Sequence, residues 1–131
     1  MQQTSHDSLT VATSILDLIG NTPMLKLHSM DTGMCDLFIK LESQNPGQSI
    51  KDRIAISMIK KAQHDGRLKP GTRIIEATAG NTGIALALVA SQIGHNITVV
   101  VPDKMSESKI DHLRAMGAQV IMARSDVEKG H

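Results

Sequence analysis

The feature that most constrains this chain is a regular alternation that begins near residue 73. Arg73-Ile-Ile-Glu76 has the form of a short strand. Asn81 to Ile93 is apolar on nearly every side and stops at Gly94, which predicts a buried helix. Ile97 to Val101 is a β-branched run of the kind covered on both faces. Ser106 to Met116 places Ile110, Leu113 and Met116 on one helical face before Gly117, and Ala118 to Ala123 is a further strand. Strand, helix, strand, helix, strand with short joints requires right-handed crossovers and a parallel sheet. The expected fold is therefore α/β: a three-layer, Rossmann-like parallel sheet with helices on both faces.

The chain upstream is less regular. Residues 1–13 are polar and read as a mobile tail. Residues 14–45 form an N-terminal helix and strand segment. In it Ser14 to Ile19 is a short apolar stretch, Gly20-Asn-Thr-Pro23 punctuates the chain, and Met24 to His28 and Leu37 to Leu41 read as strands. Residues 46–131 make up the α/β domain. Its first helix shows Ile50, Ile54, Met58 and Ala62 at a spacing of four, with Ala55 and Ile59 beside them, which predicts one buried face. Ser49 is placed to cap that helix and Gly66 to stop it.

Composition narrows the function classes. With one Phe and no Tyr or Trp among 131 residues, the core must be built from Ile, Leu, Val, Ala and the eight Met, which read as gap fillers. The missing aromatics also remove the stacking platforms used on single-stranded nucleic acid. Net charge is +1 with scattered Lys and Arg, so there is no footprint for a polyanion. No apolar run approaches the roughly 18 residues of a membrane span, and no signal peptide is evident. Cys35 is the lone cysteine and reads as a small, partly buried thiol; a cytoplasmic location is expected. The six His show no ligand spacing, and no metal site is expected. Glu42 and Glu76 read as separate structural carboxylates at strand ends.

Two loops carry possible chemistry. Asn45-Pro-Gly-Gln-Ser-Ile-Lys-Asp-Arg53 places Lys51 in the first turn of a helix. The macrodipole makes that end positive, which disfavours an ammonium and favours the amine, the form that attacks an aldehyde. The plain alternative is a solvated lysine tolerated beside Asp52. The second loop, Glu76-Ala-Thr-Ala-Gly-Asn-Thr-Gly83, joins a strand to a helix at the carboxyl edge of the sheet, where α/β folds bind ligands. Free N–H groups at the helix start hold a carboxylate or phosphate. The alternative there is an ordinary turn capped by Asn81 or Thr82. Gly80, Gly83 and, after the next strand, Asp103 supply part of a dinucleotide fingerprint, so a nucleotide-binding Rossmann-like domain stays open.

In order along the chain, Ile19-Gly-Asn-Thr-Pro23, Lys40-Leu-Glu42, the Asn45 to Arg53 loop and the Glu76 to Gly83 loop together resemble the pyridoxal-phosphate enzymes of fold type II. The Lys-Asp-Arg and Gly-Asn-Thr-Gly forms are similar to the cysteine synthase and cystathionine β-synthase branch. Pro102-Asp-Lys-Met-Ser106, Lys109, Leu113-Arg-Ala115 and Gly117-Ala118 lean toward the bacterial type of cystathionine β-synthase.

The resemblance implies a fold, a cofactor and roles. The chain would be the smaller N-terminal domain with its preceding segment, and the cofactor pyridoxal 5'-phosphate. Lys51 would be the catalytic lysine that bonds the cofactor's aldehyde. Asn81 would hydrogen-bond its ring hydroxyl. Thr78, Ala79, Gly80, Asn81 and Thr82 would grip the substrate's α-carboxylate. Ala79 departs from the serine common in that loop, and Gln48 stands where glycine is frequent. The implied reaction is β-replacement on serine or an activated serine by a thiol, homocysteine giving cystathionine or sulfide giving cysteine. The Lys51 amine would take the Cα proton while the cofactor stores the electron pair. A homodimer acting on small amino-acid and thiol substrates is expected. Members of the family are more than twice this length, with their phosphate-gripping loop and pyridine-nitrogen partner in the second half. The chain is thus expected to be an N-terminal fragment, inactive alone, with an apolar face left exposed. A further alternative is a non-catalytic, truncated partner of a full-length enzyme.

Overall fold

The computed structural model describes residues 11–124. Most of the expected mobile tail, residues 1–10, lies outside them, as do residues 125–131.

The chain enters through a single 3-10 turn, Ile15–Leu18. Ser14 Oγ accepts the Leu16 N–H, and the Asp17 carboxylate reaches back to the Ser14 N–H, a reciprocal cap that fixes this short piece. Two three-residue strands follow, β1 (Met24–Lys26) and β2 (Phe38–Lys40), paired antiparallel with Leu25 opposite Ile39. A second 3-10 turn, Glu42–Gln44, leads into α1 (Lys51–His64). Then come β3 (Ile74–Ala77), α2 (Asn81–Gln92), β4 (Ile97–Pro102), α3 (Glu107–Ala115) and β5 (Gln119–Ala123). The three later strands form one parallel sheet in the order β3-β4-β5, with Glu76 beside Val99 and Val99 beside Val120.

The core follows from α2. Gly83 through Ala90 are all buried, eight successive residues, so the helix has no solvent-facing stripe in its middle. It lies between β4 and α1, with Val99, Val101 and Leu113 on one side and Ala55 and Ile59 on the other completing the cluster. Burial of side chains such as Leu86, Val89 and Leu113 contributes about 1.5–3 kcal/mol each. Gly83 is a packing requirement: an added Cβ would overlap Thr78 Cγ2 and stand 3.1 Å from Val99 Cγ1.

Four expectations meet the structure here. The alternation and the parallel sheet are present as expected, and among the described residues α2 and α3 share one face of the sheet. Strands added in sequence order by right-handed crossovers place successive helices on the same side, and α2 touches α3. On the opposite face Ile75 is 68% exposed and Ile121 is also exposed. Second, the stripe Ile50, Ile54, Met58 does not face the core; all three are exposed, and α1 buries Asp52, Ala55 and Ile59 instead. The small Ala55 lets α1 approach α2 closely, so the helix is rotated away from its bulkier stripe. Third, most Met are not gap fillers: Met24, Met30, Met34, Met58 and Met122 are exposed, whereas Met105 and Met116 pack against the core. Fourth, Cys35 is exposed rather than partly buried.

Candidate functional site

Lys51 is the first residue of α1, and it is exposed. The residue before it, Ile50, occupies the cap position and offers no side-chain hydrogen bond. Ser49, expected as the cap, accepts the Lys51 N–H at its Oγ, at 3.2 Å. Among the described residues the Lys51 amine makes no ion pair. The loop before it begins with a turn, Gln48 N to Asn45 O at 2.7 Å, which holds Gln48 at φ 63 in the left-handed region.

What fixes that loop is a group of side chains that sequence reasoning left without roles. The Arg53 guanidinium forks onto the Glu42 carboxylate, Nε to Oε2 at 2.8 Å and Nη2 to Oε1 at 2.9 Å. Thr22 Oγ1 donates to Glu42 Oε1 at 2.7 Å and accepts from Arg53 Nη2 at 3.1 Å. Asn45 is buried; its Nδ2 donates to Glu42 Oε2 and to the Glu42 carbonyl, and its Oδ1 accepts the Gly20 N–H at 2.8 Å. Lys40 Nζ donates to the Thr22 carbonyl. These donors, Arg53 first and then Thr22, hold the Glu42 carboxyl down to about 2. The signal that could have found them was their joint presence in the four ordered motifs. Thr22, Glu42 and Arg53 lie 11 to 31 residues apart, beyond any local pattern.

Asp52 is fully buried, and burial pushes its carboxyl up from the ordinary aspartate value. Its Oδ2 accepts the Gly47 N–H. Its Oδ1 has no hydrogen-bond partner among the described residues.

The second loop lies where β3 ends. Gly80 is the cap of α2 and lends no side chain, so Asn81 and Thr82 start the helix rather than cap it. Thr78 Oγ1 accepts the Gly80 N–H at 3.2 Å, which turns the chain between strand and helix. A Cβ on Gly80 would meet nothing within 4 Å, so open space fronts this helix start. At the carboxyl ends of the strands a cavity of about 330 Å³ is lined by Ala77, Thr78 and Ala79 from the loop side, Val100 to Pro102 from β4, and Ala123 and Arg124 beyond β5. Thr78 and Ala79 therefore line it; Lys51, Gly80, Asn81 and Thr82 do not. The β4 and β5 residues of its wall were not among the expected site residues, although their position at strand ends pointed there.

No helix among the described residues is long and apolar enough to cross a membrane.

A family model described as pyridoxal-phosphate dependent enzyme matches residues 15–131. A cysteine synthase from Staphylococcus aureus is 44% identical over 119 residues, which cover 89% of this chain and 38% of that protein. A cystathionine beta-synthase from Mus musculus is 48% identical over 124 residues, 89% of this chain and 22% of its own length. In three dimensions, a hydrogen sulfide-producing enzyme from Fusobacterium nucleatum superposes with a TM-score of 0.87 at 44% identity, over 91% of this chain and 39% of that one. The chain thus spans well under half the length of these relatives.

Proposed function

The chain belongs to the pyridoxal-phosphate dependent enzyme family, and we propose that it is the lysine-bearing part of a β-replacement enzyme that joins serine, or an activated serine, to a thiol. Residues 14–45 would form the leading segment and 46–131 the smaller α/β domain. The observation that carries this is the setting of Lys51: an exposed primary amine, without an ion pair among the described residues, on a helix start whose loop is tied down by buried side chains.

The residues present fit the cofactor in two respects. The exposed Lys51 amine suits its aldehyde. The first turn of α2 carries backbone N–H groups that no side-chain cap claims, and space beside Gly80 is open, which suits an anionic group. Bound pyridoxal phosphate supplies an electron sink for the pair left when a substrate loses its Cα proton.

The chain's own residues have separate tasks. Lys51 would hold the cofactor through its amine and, once that amine is free, would take the substrate's Cα proton at Nζ. The Asn81 and Thr82 amides, with Thr78 and Gly80 in the turn before them, would orient the substrate carboxylate, and the Asn81 side chain would hydrogen-bond the ring hydroxyl. Ala77, Val100, Val101 and Pro102 wall the neighbouring cavity, which Thr78 and Ala79 also line. Ala79 leaves that rim without a hydroxyl.

The test is product formation. A protein of its relatives' full length that contains these 131 residues receives, with pyridoxal phosphate, serine or O-acetylserine, each with sulfide or homocysteine, and cysteine and cystathionine are measured by mass. Product with one pairing, lost in Lys51→Ala, supports the proposal and identifies the thiol. Equal product from wild type and Lys51→Ala overturns it.

A further inference from the structure

Resting on the role of Lys51 given above, we infer that Arg53, Glu42 and Thr22 form a brace that positions the Lys51 amine without touching it. An ion pair withdrawn from water adds little net stability over apolar residues of similar size, so its worth lies in geometry. Here the pair is partly withdrawn, with the Glu42 side chain 18% exposed and that of Arg53 37%. Its geometry is specific: two parallel hydrogen bonds, a hydroxyl bridging both partners, and an amide on the remaining carboxylate edge.

What the brace joins matters more than its strength. Asn45 opens the loop that carries Lys51, and Arg53 lies two residues beyond Lys51 in the helix; both are bonded to the one Glu42 carboxylate. The two ends of the segment are therefore fixed to a single point, and the middle is tied by the Gly47 N–H on Asp52. At the start of α1 Ile50 supplies no side-chain hydrogen bond, and Ser49 Oγ accepts the Lys51 N–H alone. The fork from Arg53 to Glu42 adds a second tie. A reacting amine at the end of a four-carbon stem depends on a backbone held to a fraction of an ångström.

The test uses the whole chain. Pyridoxal phosphate at a concentration that labels every exposed lysine, followed by borohydride, gives a pyridoxyl label on each lysine by peptide mass. The readout is the label at Lys51 relative to Lys60 and Lys61, exposed lysines of the same helix. Amide exchange over residues 45–53 and over β4 is measured on the same samples. Arg53→Lys keeps the charge and loses the fork. Its Lys51 ratio should fall about ten-fold, the worth of one charge-assisted hydrogen bond. Exchange should quicken over residues 45–53 with β4 unchanged. Glu42→Gln, of equal shape, should shift both in the same direction and decides the matter if Arg53→Lys also opens β4. A wild-type ratio and wild-type loop exchange in either folded variant overturns the brace, as does loss of β4 protection in both, which assigns the pair to folding. A wild-type chain with no preference for Lys51 overturns the function proposed above instead, and the loop exchange still decides whether the brace holds the loop.

Discussion

Gly47 and Asp52 are bound to each other twice over. The Gly47 N–H donates to the Asp52 carboxylate, and the carboxylate fills the space that a Cβ on residue 47 would need. Gly47→Ala forces the buried carboxylate to move, and overpacking of this kind costs about 1–3 kcal/mol. Urea unfolding of Gly47→Ala, Asp52→Ala and the double variant checks it. The double variant is expected to lose less than the sum of the two single losses, since the overlap exists only when both groups are present. Strict additivity would show that they do not meet.

The Glu42 and Asp52 carboxylates shift in opposite directions. Hydrogen bonds from Arg53 and Thr22 hold Glu42 down to about 2 from an ordinary 4.5. Its ionised form therefore stabilises the fold fully above pH 4.5, and that support is lost as the pH falls toward 2. Burial raises Asp52 above its ordinary 3.8, so its cost is absent below that pH and appears as the pH rises past it. Stability measured from pH 2 to 7 should show a shallower acid limb in Glu42→Gln. Asp52→Asn should gain on the wild type as the pH climbs above 3.8. Curves parallel to wild type in both variants would contradict these assignments.

Gly83 sets how closely α2 approaches Thr78, the residue that turns the chain into the candidate carboxylate loop. Gly83→Ala should cost about 1–3 kcal/mol by thermal or urea unfolding. Adding Thr78→Ser removes the methyl that the new Cβ would strike and keeps the hydroxyl, so it should recover part of the loss. No recovery would place the strain at Val99 instead.

Ala79 is exposed on the cavity rim. Ala79→Ser should change stability by less than about 0.5 kcal/mol. A new hydrogen bond to a substrate carboxylate should lower the amino-acid concentration for half-saturation by about three- to ten-fold. Steady-state measurements on a protein of the relatives' full length carrying the substitution check this. Unchanged half-saturation would remove Ala79 from the substrate rim.

The parts of the fold visible in the sequence were those with a local cause. The run from Ile74 to Ala123 declared itself through apolar periodicity and glycine stops, and α2, buried along Gly83 to Ala90, was the plainest element. The face of α1 was misjudged because periodicity reports which residues are apolar, not which are covered. Ile50, Ile54 and Met58 form the bulkier stripe, yet Ala55 and Ile59 meet α2. Lys51 and the Thr78 to Thr82 loop are proposed from motif order. The brace is not, because Thr22, Glu42 and Arg53 meet only after the chain has folded back on itself.

The most direct measurement is the location of a borohydride-fixed pyridoxyl group on the whole chain. Lys51 should carry it at about ten times the level of Lys60 and Lys61 or more, consistent with a site tighter by one or more hydrogen bonds. Lys51→Ala should abolish that preference without changing the unfolding midpoint. Label spread evenly over the exposed lysines, or concentrated on a lysine other than Lys51, would contradict the assignment of Lys51 as the cofactor's residue.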